Sequence, residues 1–386
     1  MRVRSSPFLV ILVALASGCA EAHGGEDAAV PEDAAPTPRP TDLDLLLAVD
    51  GSSSVGEEQW SFVQALPALL AALASGDADG DGVPEGRGFE TIQIGVVTSD
   101  MGVGGHTVPG CAEADFGDDG ALRDRGAIAM SGCMASYPRF LRWEPGLDLE
   151  EVAASARCVA RVGTGGCGFE QPLEGLLKAI SPSAPTAWTA PDYVPPMFYR
   201  DTPGHADGVN DGFVRAGSLL AVLLMTDEDD CSASDPEIYR PDSETYARID
   251  LGRRCDIDEA LHPIARYRHG LLELRSHPSF VAFFPIAGIP ADLQPPPGER
   301  HPSWELYVGD PGERDPRLVP TPDPLQPTRD IPSCNVPGRG VAFAPTRILE
   351  LAHRLDHGGA RVGLGSVCRE DFGLAFESFA RLLLAE

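Results

Sequence analysis

The segment SLLAVLLMTD (218–227) constrains this chain more than any other. It is apolar from Leu219 to Met225 and runs straight to Asp227. A strand that apolar cannot face water on either side, so it needs helices above and below, as parallel sheets do. LDLLLAVD (43–50) is a second such run and also ends on a carboxylate, Asp50. TIQIGVVTSD (91–100), FVAFFPIAG (280–288) and 360–367 read as further strands. Between them lie stretches with helical spacing. Residues 57–75 carry Val63, Leu66, Leu70 and Leu73, with Pro67 inside as a potential kink. Helices are also expected at 151–162, 172–180, 256–275, 345–356 and 371–384. Strands alternating with helices predict an α/β fold: a doubly wound, mostly parallel sheet with helices on both faces. Such sheets bind ligands beyond the carboxyl ends of their strands, which is where Asp50 and Asp227 fall.

Three stretches interrupt the alternation and read as loop insertions. Residues 101–150 are Gly-rich, 181–217 form a long connection, and 290–337 hold thirteen prolines, too many for much regular structure. The formal net charge of −28 repels phosphate backbones, which argues against nucleic acid as a partner and favours cations.

The first 41 residues read as an address and a tether. Arg2 and Arg4 precede the apolar run FLVILVALA (8–16), too short to span a bilayer as a mature helix. Ala16-Ser17-Gly18-Cys19 follows and resembles the lipobox of bacterial lipoproteins, which implies a signal peptide over 1–19 and lipidation of Cys19. Ala20 in place of Asp after that cysteine favours the outer membrane of a bacterial envelope. Residues 20–41, small, acidic and Pro-rich, are expected to be a flexible linker to a domain spanning 42–386. Eight further cysteines, Cys111, Cys133, Cys158, Cys167, Cys231, Cys255, Cys334 and Cys368, form an even set suited to disulfides in an exported chain. Nearness in order suggests the pairs 111–133, 158–167, 231–255 and 334–368. Zinc is a poor alternative because no Cys-x-x-Cys is present.

VDGSSSV (49–55) sets Asp50, Ser52 and Ser54 at alternate positions on a loop leaving a strand, so that one carboxylate and two hydroxyls can face a common point. Oxygen donors of this kind suit a hard cation such as Mg2+. The bland alternative is an Asp/Ser turn capping the helix at 57–75. LDLLLAVDGSSSVGEEQWSFV resembles the first strand, metal loop and first helix of a von Willebrand factor A (vWA) domain, whose D-x-S-x-S opens a metal-ion-dependent adhesion site. The resemblance implies a second Asp after a central strand, matched by Asp227 in AVLLMTDEDD, and a Thr from a loop before a helix. Thr164 in RVGTGGCGFEQPLEGLLKAI is the better match, and Thr98 is its rival. It further implies Mg2+ (or Mn2+) with a coordination position open to an Asp or Glu carboxylate of a protein ligand.

DADGDGVPE (77–85) places Asp77, Asp79 and Asp81 at alternate positions before Gly82, like the start of a Ca2+ loop, although Gly88 stands where an EF-hand needs a Glu. Glu228, Asp229 and Asp230 follow Asp227 directly. A solvated run is the commoner reading of such acids, and support for the metal or for a second cation is the other. There is no H-E-x-x-H, no G-x-S-x-G and no P-loop lysine. The expected function is therefore a non-enzymatic, envelope-displayed, lipid-anchored protein-binding module. A metal-dependent enzyme or enzyme accessory, and a purely structural lipoprotein, are the alternatives.

Overall fold

The computed structural model describes residues 39–299, 301–337 and 340–385. The expected signal peptide, Cys19 and the linker up to residue 38 lie outside the described residues. Strands β1 (Asp42–Val49), β2 (Thr91–Thr98), β4 (Leu219–Met225) and β5 (Val281–Ala287) pair in parallel, and two short strands, β8 (Arg361–Val362) and β9 (Gly365–Ser366), continue from β5. β3 (Phe140–Trp143) adds an antiparallel edge beside β2. The strand order is β3-β2-β1-β4-β5-β8, with β9 also on β5. The chain thus builds outward from β1 in one direction and from β4 in the other, so the order reverses between these two strands. Their carboxyl ends flank the crevice that such a reversal opens.

Side-chain alternation divides the core into two layers. Leu43, Leu45, Leu47 and Val49 of β1, with Leu219, Ala221, Leu223 and Met225 of β4, face one side. There they meet α1 (Gly56–Ser75), α2 (Leu149–Ala160) and α7 (Gly373–Leu384). Leu46 and Ala48, with Leu220, Val222 and Leu224, face the other side and meet α3 (Pro172–Ile180), α4 (Ile264–Leu272) and α6 (Thr346–His357). β1 and β4 are wholly apolar where they are covered on both faces, as the sequence demands. The exception is Asp44, fully buried near the amino end of β1. It accepts hydrogen bonds from the Arg215 backbone N–H and Nε (both 2.7 Å), from Arg275 Nη2 (3.3 Å) and from Ser218 Oγ. A carboxylate at that depth stands only because two guanidiniums oppose it.

Several expectations need correction. The helix expected over 256–275 is α-helical only from Ile264. Pro263 cannot donate the hydrogen bond that would carry a helix through it, and residues 251–256 and 258–260 form 3-10 turns instead. The strand expected over 360–367 breaks at Gly363, where a Cβ would stand 2.7 Å from the Phe284 ring. The 101–150 insertion supplies β3. The Pro-rich 290–337 insertion holds the short helix α5 (Trp304–Val308), and its end forms a hairpin of β6 (Cys334–Val336) with β7 (Gly340–Ala342). Helix α1 continues through Pro67.

Four disulfides form, and two of the expected pairs are wrong. Cys231–Cys255 and Cys334–Cys368 join as expected, but the others pair as Cys111–Cys167 and Cys133–Cys158. Cys158 sits on α2 in the layer shared with α1, and the loop of Cys133 docks there through Ala127 N–H to Cys158 O (2.9 Å). Cys167 has already crossed to the carboxyl edge of the sheet, in a small cluster with Val103, Phe169 and Tyr239. Only eight residues lie between Cys158 and Cys167, but the turn after α2 sends them to different clusters.

Candidate functional site

The site grows from the last residues of β1. The Asp50 N–H still donates to Met225 O (3.0 Å), so the β1–β4 ladder carries Asp50 to the carboxyl edge. Its side chain is completely buried and accepts from Ser52 N–H (2.7 Å), Thr226 Oγ1 (2.7 Å) and Ser99 Oγ (3.4 Å). Ser52 Oγ and Ser54 Oγ lie 3.0 Å apart, and the Ser54 hydroxyl stands near enough to the Asp227 carboxylate to favour its charged form. The structure therefore brings Asp50, Ser52, Ser54 and Asp227 together. Asp227 Oδ1 is buried and has no hydrogen-bond partner among the described residues.

The two threonine candidates fare differently. Thr98 Oγ1 donates to Asp118 (2.7 Å), away from the group, while its neighbour Ser99 turns toward Asp50. Thr164 is exposed, its methyl 3.5 Å from the place a Cβ on Gly56 would occupy, and no hydrogen bond joins it to the group among the described residues. Its loop nonetheless docks on the site. Gly166 N–H donates to Gly51 O (2.9 Å), and a Cβ on Gly166 would stand 2.8 Å from that oxygen, so only glycine allows this approach. Gln59 of α1 clamps the two loops. Its Nε2 donates to Asp50 O and Gly163 O (both 2.7 Å), and its Oε1 accepts from Gly163 N–H (3.1 Å).

The residue that this third loop turns toward the site is Glu170, 3 % exposed just before α3. Burial, then Glu228, Asp50 and Asp227, push its carboxyl well above the usual range. The same causes act on its neighbours. Asp227 is pushed up to about 9 by burial, Asp50 and Glu228, against the Ser54 hydrogen bond. Glu228 is pushed up to about 7 by burial, Asp50 and Asp229. Asp50 is raised by burial despite its donors. These carboxylates disfavour one another's charge, and a cation among them reverses that. Sequence reasoning missed Glu170, Ser99, Thr226 and Gln59. The available signals were a Glu placed directly before an apolar helix and hydroxyl residues beside the strand-ending acids.

Asp229 and Asp230 are not solvated but held by the starts of two helices. Asp229 accepts from Thr346 Oγ1 (2.6 Å) and Arg347 N–H (3.1 Å) at the start of α6. Asp230 accepts from Leu173 N–H (3.1 Å) at the start of α3 and from Arg347 Nε (3.2 Å). A cleft of about 810 Å3 adjoins the site, lined by Glu170, Glu228, Arg253, Arg314, Arg329 and Arg347 among others. Arg253 pairs with Asp256 and Asp330. Arg314 donates only to Val308 O and has no carboxylate partner among the described residues.

At the far end of α1, Asp77, Asp79 and Glu85 bring carboxylate oxygens within 4.8 Å of one another, whereas Asp81 is outside this group and accepts from Val83 N–H (2.7 Å). Arg381 of α7 already reaches Asp79 (2.5 Å) and Glu85 (2.9 Å), supplying positive charge to the patch.

No protein-family model matches the chain, and no curated protein does. Among solved structures, proximal thread matrix protein 1 from the mussel byssus (crystal form 2) is similar at 12 % identity with a TM-score of 0.22. The match covers 64 % of this chain and 43 % of that one, so the chain spans less than half of that neighbour's length. A likeness this slight carries no argument about fold or function.

Proposed function

We propose that residues 42–386 form a vWA-like domain that binds a protein ligand through a divalent cation at a metal-ion-dependent adhesion site, displayed from a bacterial envelope membrane on a lipid-anchored tether. The observation that carries this reading is the convergence of Asp50, Ser52, Ser54 and Asp227 at the point of strand-order reversal, with Asp227 Oδ1 buried and unpartnered. An orphaned buried carboxylate oxygen is costly, and a hard cation among hydroxyl and carboxylate oxygens satisfies it. Ser52, Ser54 and Asp227 would hold the ion, with Asp50 set by Ser52, Ser99 and Thr226 to balance its charge. When bound, Mg2+ (or Mn2+) supplies a Lewis-acidic position to an Asp or Glu carboxylate of the partner. The adjoining cleft takes the chain flanking that carboxylate, with Arg314 available to a second acidic group. The four disulfides suit an oxidising, extracytoplasmic compartment.

The test is calorimetric titration with Mg2+, followed by retention of an array of Asp- and Glu-bearing peptides with and without chelator. The expected result is Mg2+ binding that Asp50→Ala and Asp227→Ala abolish, and retention that fails in chelator or when the peptide acid becomes its amide. Peptide retention that is the same in chelator, or Mg2+ binding unchanged in both variants, would refute the proposal.

A further inference from the structure

Lys178 is the only lysine of the chain; the other strong bases are all arginines. It lies on α3 and is wholly buried. Its Nζ donates to Asp119 Oδ1 (2.5 Å) and to Thr202 Oγ1 (2.8 Å), and the Thr202 hydroxyl donates to Tyr199 O (2.9 Å). The rings of Phe116 and Phe198 have their centroids 5.9 and 5.5 Å from that nitrogen. The other carboxylate oxygen, Asp119 Oδ2, meets His205 Nε2 (3.1 Å), and the His205 backbone N–H donates to Lys178 O (2.9 Å). The turn that carries Asp119 is pressed onto α3: a Cβ on Gly120 would stand 2.9 Å from both Lys178 Cβ and Gly175 O. Asp119 (φ 56°), Arg200 (φ 54°) and Asp201 (φ 56°) are the non-glycine residues with left-handed backbone among the described residues, and all three belong to the two segments that close around Lys178. Backbone strain of this kind persists where the surroundings over-determine it, and it gathers at functional sites.

A buried ammonium–carboxylate pair carries a desolvation cost, and arginine, the base this chain uses everywhere else, is the better partner for a buried ion pair. What lysine offers and arginine does not is a nucleophilic amine once a desolvated ammonium gives up a proton. We propose that Lys178 and Asp119 join in an intramolecular isopeptide (amide) bond, with His205 and Thr202 assisting its closure. A proton passes from Nζ to Oδ1, leaving a neutral amine and a carboxylic acid. The amine lone pair attacks Asp119 Cγ and forms the C–N bond. His205 Nε2–H donates to Oδ2 as negative charge develops there. The Cγ–Oδ1 bond then breaks, a second Nζ proton reaches Oδ1 by way of the Thr202 hydroxyl, and Oδ1 leaves as water. Nζ keeps its third proton, and Oδ2 becomes the amide oxygen. No oxidant or other reactant enters. Holding amine and carboxyl in contact supplies the effective concentration that condensation needs. The Asp119 side chain is 28 % exposed, which gives the released water a way out. The product is uncharged, so the cost of burying the pair disappears. It ties the 101–150 insertion to α3 by a link that reductants do not open.

The test is mass spectrometry of the full chain, folded, then reduced and unfolded. The expected parent chain is one water lighter than its disulfide-reduced sequence. Its Lys178 should resist reductive methylation, and digestion should yield a branched peptide joining the Asp119 and Lys178 segments. Because the chain has a single lysine, one residue gives the answer. Asp119→Ala should restore a methylated Lys178. His205→Phe keeps both reacting side chains and should leave most of the chain unbridged; complete bridging there would overturn the part given to His205. A methylated Lys178 in the unfolded parent chain, or a blocked Lys178 that is not joined to Asp119, would overturn the proposal. The parent chain decides the matter even if every variant fails to fold.

Discussion

Gln59 reaches from the first turns of α1 into the space between the loop after β1 and the glycine loop before α3, and it is fully buried there. Replacing it with Leu keeps most of the volume and removes three hydrogen bonds, to Asp50 O, Gly163 O and Gly163 N–H. At a net contribution of about 0.5–1.5 kcal/mol each, Gln59→Leu should destabilise the domain by about 2–4 kcal/mol. For a domain of this size that lowers the melting temperature by about 3–6 °C. Because Asp50 O is one of the orphaned groups, the loop after β1 loses its anchor to α1. Mg2+ affinity should therefore fall about tenfold or more, which corresponds to about 1.4 kcal/mol. Urea unfolding with disulfides intact measures the first effect and calorimetry the second. A variant within 0.5 kcal/mol of the parent in stability, with unaltered Mg2+ affinity, would show that the clamp does not position the loop.

Other outcomes follow from the same geometry. Proteolytic mapping should recover Cys111–Cys167 and Cys133–Cys158 linked peptides, and Cys133→Ser/Cys158→Ser should cost about 3 kcal/mol from the 25-residue separation that the bridge closes. Asp44→Ala leaves Arg275 buried without its carboxylate and should destabilise by about 3–5 kcal/mol, without changing cation affinity at the opposite end of β1. Asp227→Asn relieves like-charge crowding around a buried carboxylate, so in chelator it should stabilise the domain by about 1–3 kcal/mol while abolishing cation binding; a destabilised Asn variant in chelator would contradict the crowding. Burial pushes the His262 imidazole below its ordinary 6.5, with Glu174 and Asp230 opposing and Arg266 and Arg347 assisting. The unfolded chain then binds that proton more tightly, so stability should be lost as pH falls below 6.5, with a shallower loss in His262→Gln.

The local signals in this sequence carried the framework. Uninterrupted apolar runs at 43–49 and 219–225 can exist only under helices on both faces, and period-2 alternation assigns their residues to two layers before any contact is known. Asp50, Ser52 and Ser54 were legible because a strand ends and a loop begins within five residues. What the chain does at long range was not legible. Cys158 and Cys167 are neighbours in order and strangers in space because the turn after α2 redirects the chain. Thr164 has the composition of a ligand but faces solvent, while Glu170 is buried beside Asp227 because Gly166 and Gln59 press its loop onto Gly51. Among acids 228–230, only packing against the starts of α3 and α6 distinguishes Asp229 and Asp230 from Glu228. Periodicity reports which face a residue takes on its own element, whereas partners depend on how elements from distant parts of the chain dock, and that is decided only when the whole core closes.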